Sequence, residues 1–221
     1  MRAVLLFALL SSAAWADACG ASDLSGAYGF RHAGMSSISG APKPFATVGR
    51  LVFGEDRHIQ GTSSVNFGGI FLGNPVTGNY DSRTDCTFTF ELQDDSGAWQ
   101  HFSGHLRSGG AAGTYTQTDP GVQGGGLLER TPETCGNKAL QGHFAVTIGA
   151  ENTETDADGD GHFRSASGAA KNSGTYTVDS DCLVEIDFGN HMRGVVVAGG
   201  KTVLAVQTEP GKFGSATFTA R

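Results

Sequence analysis

The chain has 221 residues, of which 34 are glycine and only 17% are charged. Six prolines and no fixed glycine period exclude a collagen-like chain, and aromatic and β-branched residues throughout argue against disorder. The net charge of −7, with no basic stripe, argues against a nucleic-acid partner and against docking onto anionic lipid. This length permits one large β domain or two small ones.

Residues 1–16 predict a secretory signal peptide. Arg2 gives a positive start, residues 3–10 are apolar, and residues 14–16 (Ala-Trp-Ala) fit a cleavage site before Asp17. The apolar run is too short to span a bilayer. A lipid anchor on Cys19 is an alternative, although the aliphatic residue expected three positions earlier is missing. We therefore expect a secreted or periplasmic protein without a membrane span.

The mature chain reads as two diverged copies of one unit. Three landmarks recur in the same order, at separations that fall along the chain, so the second copy is the shorter one. We predict a first repeat over residues 17–131 and a second over 132–221, with the larger deletion removing the counterpart of roughly residues 36–52. The landmarks pair Cys19, Gly20 and Leu24 with Cys135, Gly136 and Leu140; 78–86 with 174–182; and 117–121 with 207–211.

Four cysteines occupy equivalent places in the two copies. Export would carry them to an oxidising compartment, where disulfides are the expected state. No Cys-x-x-Cys pair is present, which argues against structural zinc and thioredoxin-like chemistry. The repeat favours the pairs Cys19–Cys86 and Cys135–Cys182, while the two other pairings stay open.

Strand and turn signals run through both copies. Residues 87–92 alternate polar and apolar, residues 195–197 and 203–206 are β-rich, and residues 119–121 (Asp-Pro-Gly) are typical of a turn. We expect seven or eight strands in the first copy and about six in the second. The predicted fold is all-β, with two tandem antiparallel barrels of which the second is shorter and not certain to close. One duplicated barrel or a sandwich is the alternative.

One segment resembles the start of a calcium loop. Asp156, Asp158 and Asp160 occupy positions 1, 3 and 5, and Gly161 position 6, but position 12 is Ser167 instead of glutamate. The alternative is a hairpin whose Asp-Gly turn supplies a positive φ. We expect no cofactor, and calcium at this segment is the alternative.

Other candidate residues form weaker patterns. His101 and His105 would lie on one side of a strand but too far apart to share a metal without a bulge. Asp85 and Asp181 each precede a cysteine, and turn capping is the favoured role for both. Residues 121–126 resemble a phosphate loop only in composition. No catalytic constellation is evident, so the sequence leaves open whether the protein is an enzyme.

Aromatic residues of the predicted strands are core candidates, and some would line an apolar pocket if a barrel encloses one. Because the first copy is longer, we expect any pocket to lie there. The aromatic strand residues are Tyr28, Phe30, Tyr80, Phe88, Phe90, Tyr115, Phe144, Tyr176, Phe188 and Phe218.

The chain resembles a broad group of secreted bacterial proteins. The resemblance lies in the segment from Cys19 to Phe30, the Gly-x-Tyr and Asp-Cys motifs and residues 117–121. The repeat of that group is similar to calycin-type barrels of the allene oxide cyclase and dirigent kind. Barrels of this kind include cyclases and binders of hydrophobic small molecules. From the barrel-like strands and the lack of a catalytic constellation, we expect a protein that binds a small hydrophobic ligand or an extracellular partner without catalysis. One alternative is a barrel cyclase or isomerase acting on an apolar substrate. Another is a structural, envelope-associated protein.

Overall fold

A computed structural model describes residue 19 and residues 24–38, 40–165 and 173–221, so the predicted signal peptide lies outside the described part. The described fold is all-β. Its helical segments are three-residue 3-10 turns, and none has the length or apolar character needed to cross a bilayer. The strands are β1 (Gly26–Ser36), β2 (Lys43–Phe53), β3 (His58–Phe67), β4 (Ile70–Ser82), β5 (Thr87–Asp94), β6 (Trp99–Leu106), β7 (Ala112–Gln117), β8 (Val122–Arg130), β9 (Gln141–Ile148), β10 (Glu151–Asp158), β11 (His162–Ser165), β12 (Gly174–Val178), β13 (Leu183–Asp187), β14 (His191–Val197), β15 (Thr202–Gln207) and β16 (Ser215–Ala220).

The strands form two closed barrels in tandem. Strands β1 to β8 pair in chain order and close when β8 pairs antiparallel with β1, and β9 to β16 close in the same way. The two-barrel prediction is confirmed, and the second copy closes by itself. The expected count of about six strands for that copy was wrong, because β11 and β12 are only four and five residues long and give almost no periodic signal.

Strand pairing shows the duplication residue by residue. In the first barrel Phe90 lies opposite Phe102, which lies opposite Gln117. In the second, Ile186 lies opposite Met192, which lies opposite Gln207. The counterpart of β2 is β10, so the predicted loss of residues 36–52 was wrong in its extent, because residues 151–157 match residues 47–53 in the pairing register. The shortening lies in the β9–β10 hairpin, which has eight residues per strand against 11 in β1 and β2.

One disulfide lies in each copy. Cys19 pairs with Cys86 and Cys135 with Cys182, which is the arrangement that the repeat favours. Cys86 and Cys182 occupy the same kind of turn, since both have left-handed φ values of 68° and 64°. The bridges close loops with sequence separations of 67 and 47, each worth about 4 kcal/mol on the chain-entropy model.

The two ends of the first barrel differ. At the end that holds the Cys19–Cys86 bridge, Leu24 is fully buried, and the hydroxyls of Tyr28 and Tyr80 donate to the carbonyls of Gly110 and Gly54. These contacts cover one end of the lumen. The connections β1–β2, β3–β4, β5–β6 and β7–β8 surround the opposite end, which is open to solvent.

The barrels pack through β1 and β2 of the first and β14 and β15 of the second. Residues 195–197 and 203–206 are buried throughout because one face of these strands meets the lumen and the other meets the neighbouring barrel. Gly29 lies where a β-carbon would come within 2.4 Å of a Val197 methyl, so glycine permits the close approach. Ala46 and Val48 join the core of the second barrel across this interface.

Candidate functional site

The first barrel holds a cavity of about 370 Å³ that opens at its uncovered end. The cavity lies in the longer copy, where the sequence placed it. Its inner wall is aromatic: Phe90 stacks on Phe102 with ring centroids 4.5 Å apart, and Tyr115 meets both rings edge-on. Phe30 and Phe45 complete this apolar wall. A cavity of this size and lining is typical of a small-molecule site.

Two glycines of β8 make room for the aromatic wall. A β-carbon at Gly126 would lie 2.3 Å from the Tyr115 ring, and one at Gly124 would lie 2.8 Å from the Phe45 ring and 2.9 Å from His32 Nε2. At these two positions the strand contributes backbone alone, and its neighbours contribute the side chains. The glycine-rich run at 121–126 is thus a turn and a strand of the cavity wall.

His32 is a buried polar residue of the wall, with only 4% of its surface exposed, and Ser36 is a second one at 6%. Its ring stacks on Tyr115 with centroids 5.4 Å apart and an interplanar angle of 15°. Phe45 lies against it at 5.0 Å and Phe102 meets it edge-on at 5.5 Å. Three aromatic side chains thus fix the orientation of the imidazole.

A hydrogen-bonded series leads from His32 to the surface of the barrel. Its Nε2 lies 3.1 Å from Oε1 of Gln117, whose amide nitrogen donates to Oδ2 of Asp119 at 2.9 Å. The backbone N–H of His101 donates to Asp119 at 2.8 Å, and its Nδ1 lies 2.8 Å from the other carboxylate oxygen. A carboxylate only accepts, so the Gln117 amide must turn its oxygen to His32. The hydrogen of His32 is therefore on Nε2.

Burial sets the charge of this series. Desolvation lowers the pKa of His32 to about 4, although its hydrogen bond to Gln117 acts in the opposite direction, so the ring is neutral at pH 7. Burial opposes ionisation of Asp119, but hydrogen bonds from His101 and Gln117 hold the pKa of that carboxyl below its ordinary value. The inner cavity is uncharged and its rim is anionic.

Apolar and acidic residues share the open end. Ile38 and Trp99 line the mouth and are 71% and 45% exposed, while Asp94 and Asp119 line the same rim. Such exposed apolar side chains beside an opening extend the apolar surface of the cavity outwards.

The corresponding interior of the second barrel is packed with side chains. Phe163 stacks on Phe218 at 5.3 Å, and Phe188 meets both rings edge-on. The pairing register places Ile148 where the first barrel has His32, and Ala205 where it has Tyr115. The two copies therefore share the strand pairing of the barrel, but they differ in the residues that form the site.

The calcium-loop residues lie on the β10–β11 hairpin, with Asp156 and Asp158 at the end of β10 and Asp160 in the turn that follows. Asp156 pairs with His143 at 2.9 Å, and Asp158 accepts from the backbone N–H groups of Asp160 and His162. Within the described ranges, no three His, Cys, Asp or Glu side chains are grouped as a metal site would require. Calcium binding by Asp156, Asp158 and Asp160 stays a prediction.

The other candidates have structural contacts. His101 belongs to the series above and His105 is exposed on the outer face of β6. Asp85 caps its turn by accepting from the backbone N–H of Thr87 at 3.0 Å. Asp181 instead pairs with Arg50 of the first barrel at 3.2 Å, so the two acids have different roles.

Sequence reasoning did not identify His32, Gln117 and Asp119 as a site. The available signal was the motif at residues 117–121, which recurs at 207–211 and was interpreted only as a repeat landmark. In both copies its threonine donates a backbone hydrogen bond to a histidine carbonyl, from Thr118 to His101 and from Thr208 to His191.

Comparisons with known proteins give no family for the chain. No family model matches it, and no curated protein matches it significantly. Among solved structures, a de novo designed fluorescence-activating β-barrel is 17% identical, with 50% of this chain and 96% of that chain covered and a TM-score of 0.38. Burkholderia oklahomensis agglutinin is 12% identical, with coverage of 87% and 94% and a TM-score of 0.18. Similarities this weak say nothing about function.

Proposed function

We propose that the first barrel binds a small, uncharged, ring-bearing apolar molecule in its lumen. The observation that carries this proposal is the open, aromatic cavity of about 370 Å³ beside a sister barrel whose interior is filled. Packing alone would favour the filled version in both copies, because voids in a core cost stability. Keeping a cavity in one copy is consistent with use of that cavity.

The charge distribution narrows the ligand class. His32 is neutral, and the acidic rim of Asp94 and Asp119 disfavours anionic molecules such as fatty-acid carboxylates. Stacked rings such as Phe90 and Phe102 favour planar apolar groups. An aromatic ring system of one or two fused rings fits both conditions.

The paired cysteines support a location outside the cytoplasm. Disulfides persist in oxidising compartments, and all four cysteines are paired. We place the protein outside the cytoplasm, secreted or periplasmic, which agrees with the predicted signal peptide. Kinship with calycin-type barrels remains part of this proposal.

Titration calorimetry with 2-methoxynaphthalene and 1-decanol tests the binding function. We expect the aromatic probe to bind and to change the fluorescence of Trp99, the single tryptophan of the chain after residue 16. Val76→Trp fills the lumen and should abolish binding, whereas Thr77→Trp, on the exposed face of the same strand, should not. If the folded wild type binds neither 2-methoxynaphthalene nor 1-decanol, the proposal is wrong.

The cyclase or isomerase alternative has one supporting observation, a neutral imidazole in the cavity wall. A positioned histidine can act as a general base. Recovery of a bound ligand chemically unchanged after long incubation favours binding alone, and recovery of a rearranged product favours the enzyme.

A further inference from the structure

We infer that His32 selects ligands that carry a hydrogen-bond donor on the ring system, such as a phenol or an indole, by accepting that hydrogen on Nδ1. This inference rests on the proposed binding function and names the chemical class that the cavity prefers. It makes His32 a specificity-determining residue.

The first step is the direction of the hydrogen bonds. Asp119 only accepts, so Gln117 donates to it and presents its own oxygen to His32. His32 Nε2 must then donate, and Nδ1 must carry the lone pair. The carboxylate thus fixes which imidazole nitrogen is an acceptor, through an intervening amide.

The second step is the state of that acceptor. Nδ1 is buried, and no donor among the described residues forms a hydrogen bond with it. A buried acceptor without a partner is costly, and native structures rarely keep one without a reason. His32 borders the cavity, but Nδ1 itself has almost no exposed surface. A ligand hydroxyl or ring N–H therefore supplies the missing donor once an aromatic neighbour of Nδ1 moves aside.

The third step is the shape of the surroundings. Tyr115 stacks on the imidazole, and Phe45 and Phe102 lie against it on other sides. A donor that reaches the ring is therefore attached to a group that fits among aromatic side chains. The neutral state of the imidazole, which follows from its lowered pKa, leaves the lone pair free to accept.

The second barrel offers an internal contrast. Ile148 stands at the position of His32, although Gln207 is kept at the position of Gln117. The acceptor is present only in the barrel with the cavity. This association links the imidazole to the ligand and separates it from the common requirements of the fold.

A matched pair of ligands tests the inference. 2-Naphthol carries the donor, and 2-methoxynaphthalene has the same ring system with the donor removed. We expect the wild type to bind 2-naphthol about fivefold to tenfold more tightly. His32→Phe should remove that preference, and His58→Phe, at an exposed position on β3, should keep it. Dividing the wild-type affinity ratio of the two ligands by the ratio measured for His32→Phe cancels the difference in hydration between the ligands.

A spectroscopic readout covers the case in which the His32→Phe variant does not fold. In wild type with ¹⁵N-labelled histidine, the unprotonated Nδ1 resonance of His32 should move on addition of 2-naphthol and stay in place with 2-methoxynaphthalene. Equal affinities, or a preference that survives in His32→Phe, would refute the role of His32 and leave the binding function standing. Binding of neither ligand would instead refute the binding function itself.

Discussion

His32 lies among three aromatic rings, and protonation there would place a cation in an apolar wall. Its pKa is about 4 in the folded protein against 6.5 for the ordinary side chain. Between these values the unfolded chain binds more protons, so the free energy of unfolding falls as the pH is lowered through this window. The contribution is fully present above pH 6.5 and is lost as the pH approaches 4.

Urea unfolding at pH 7 and pH 5 measures this effect. We expect wild type to lose about 2 kcal/mol more than His32→Phe over this interval. The carboxyls with lowered pKa, such as Asp119, titrate at lower pH and contribute little there. If the free energy of unfolding depends on pH in the same way in both proteins, protonation of His32 does not cause the loss of stability at pH 5.

The contacts of His32 were beyond the sequence for a specific reason. His32 and Gln117 are separated by 85 positions and meet only because β8 joins β1 to β7 in one register. Residue types at single positions do not encode that register. The disulfide pairs were easier to predict, because the repeat made the cysteines equivalent and left few pairings to choose from.

At the scale of elements, β8 shows how a strand can shape a cavity by lacking side chains. Gly126→Ala would bring a methyl group to 2.3 Å from the Tyr115 ring and should force that ring from its place on His32. We expect a loss of about 1–3 kcal/mol in the free energy of unfolding and weaker binding of 2-methoxynaphthalene.

Gly125→Ala is the matched control in the same strand. Its methyl group would face away from the lumen, with the nearest atom 3.4 Å away, so stability and binding should both be kept. If both variants behave alike in denaturant unfolding and calorimetry, the glycines do not act by making room for Tyr115.

The elements also show where periodicity stops being informative. Alternation identified β5, which has buried Phe88, Phe90 and Leu92 on one face. It could not separate β11 and β12 from turns, because four or five residues hold too few alternations. The glycines of β8 lack side chains to alternate, which is why composition suggested a loop there.

At the scale of the whole molecule, Asn66 connects the two barrels. Its side chain is fully buried, and its Nδ2 donates to the carbonyls of Gln207 and Lys212 in the second barrel, each at 2.8 Å. Its Oδ1 accepts from the backbone N–H of Gly69 at 2.9 Å. One side chain therefore satisfies three backbone groups at the interface.

Asn66→Ala should weaken the coupling between the barrels. The buried carbonyl of Gln207 and the partly buried carbonyl of Lys212 would lose a donor, which costs about 2–3 kcal/mol. We expect one calorimetric unfolding transition in wild type and two in the variant. Asn79→Ala removes a hydrogen bond to Glu91 within the first barrel and should leave one transition. A single transition in Asn66→Ala with unchanged midpoint would show that the barrels are coupled by other contacts.

The next-neighbour topology of the barrels has a consequence for the order of folding. In the described strands, each barrel contains one pairing between strands distant in sequence, β1 with β8 or β9 with β16, and the other pairings are local hairpins. Local hairpins form early, whereas pairing of the first strand of a barrel with its last strand has the largest cost in loop entropy. During synthesis the first barrel can close before β14 and β15 exist. Until those strands arrive, the apolar patch around Ala46 and Val48 stays uncovered, so docking of the barrels is the last event and the step most exposed to aggregation.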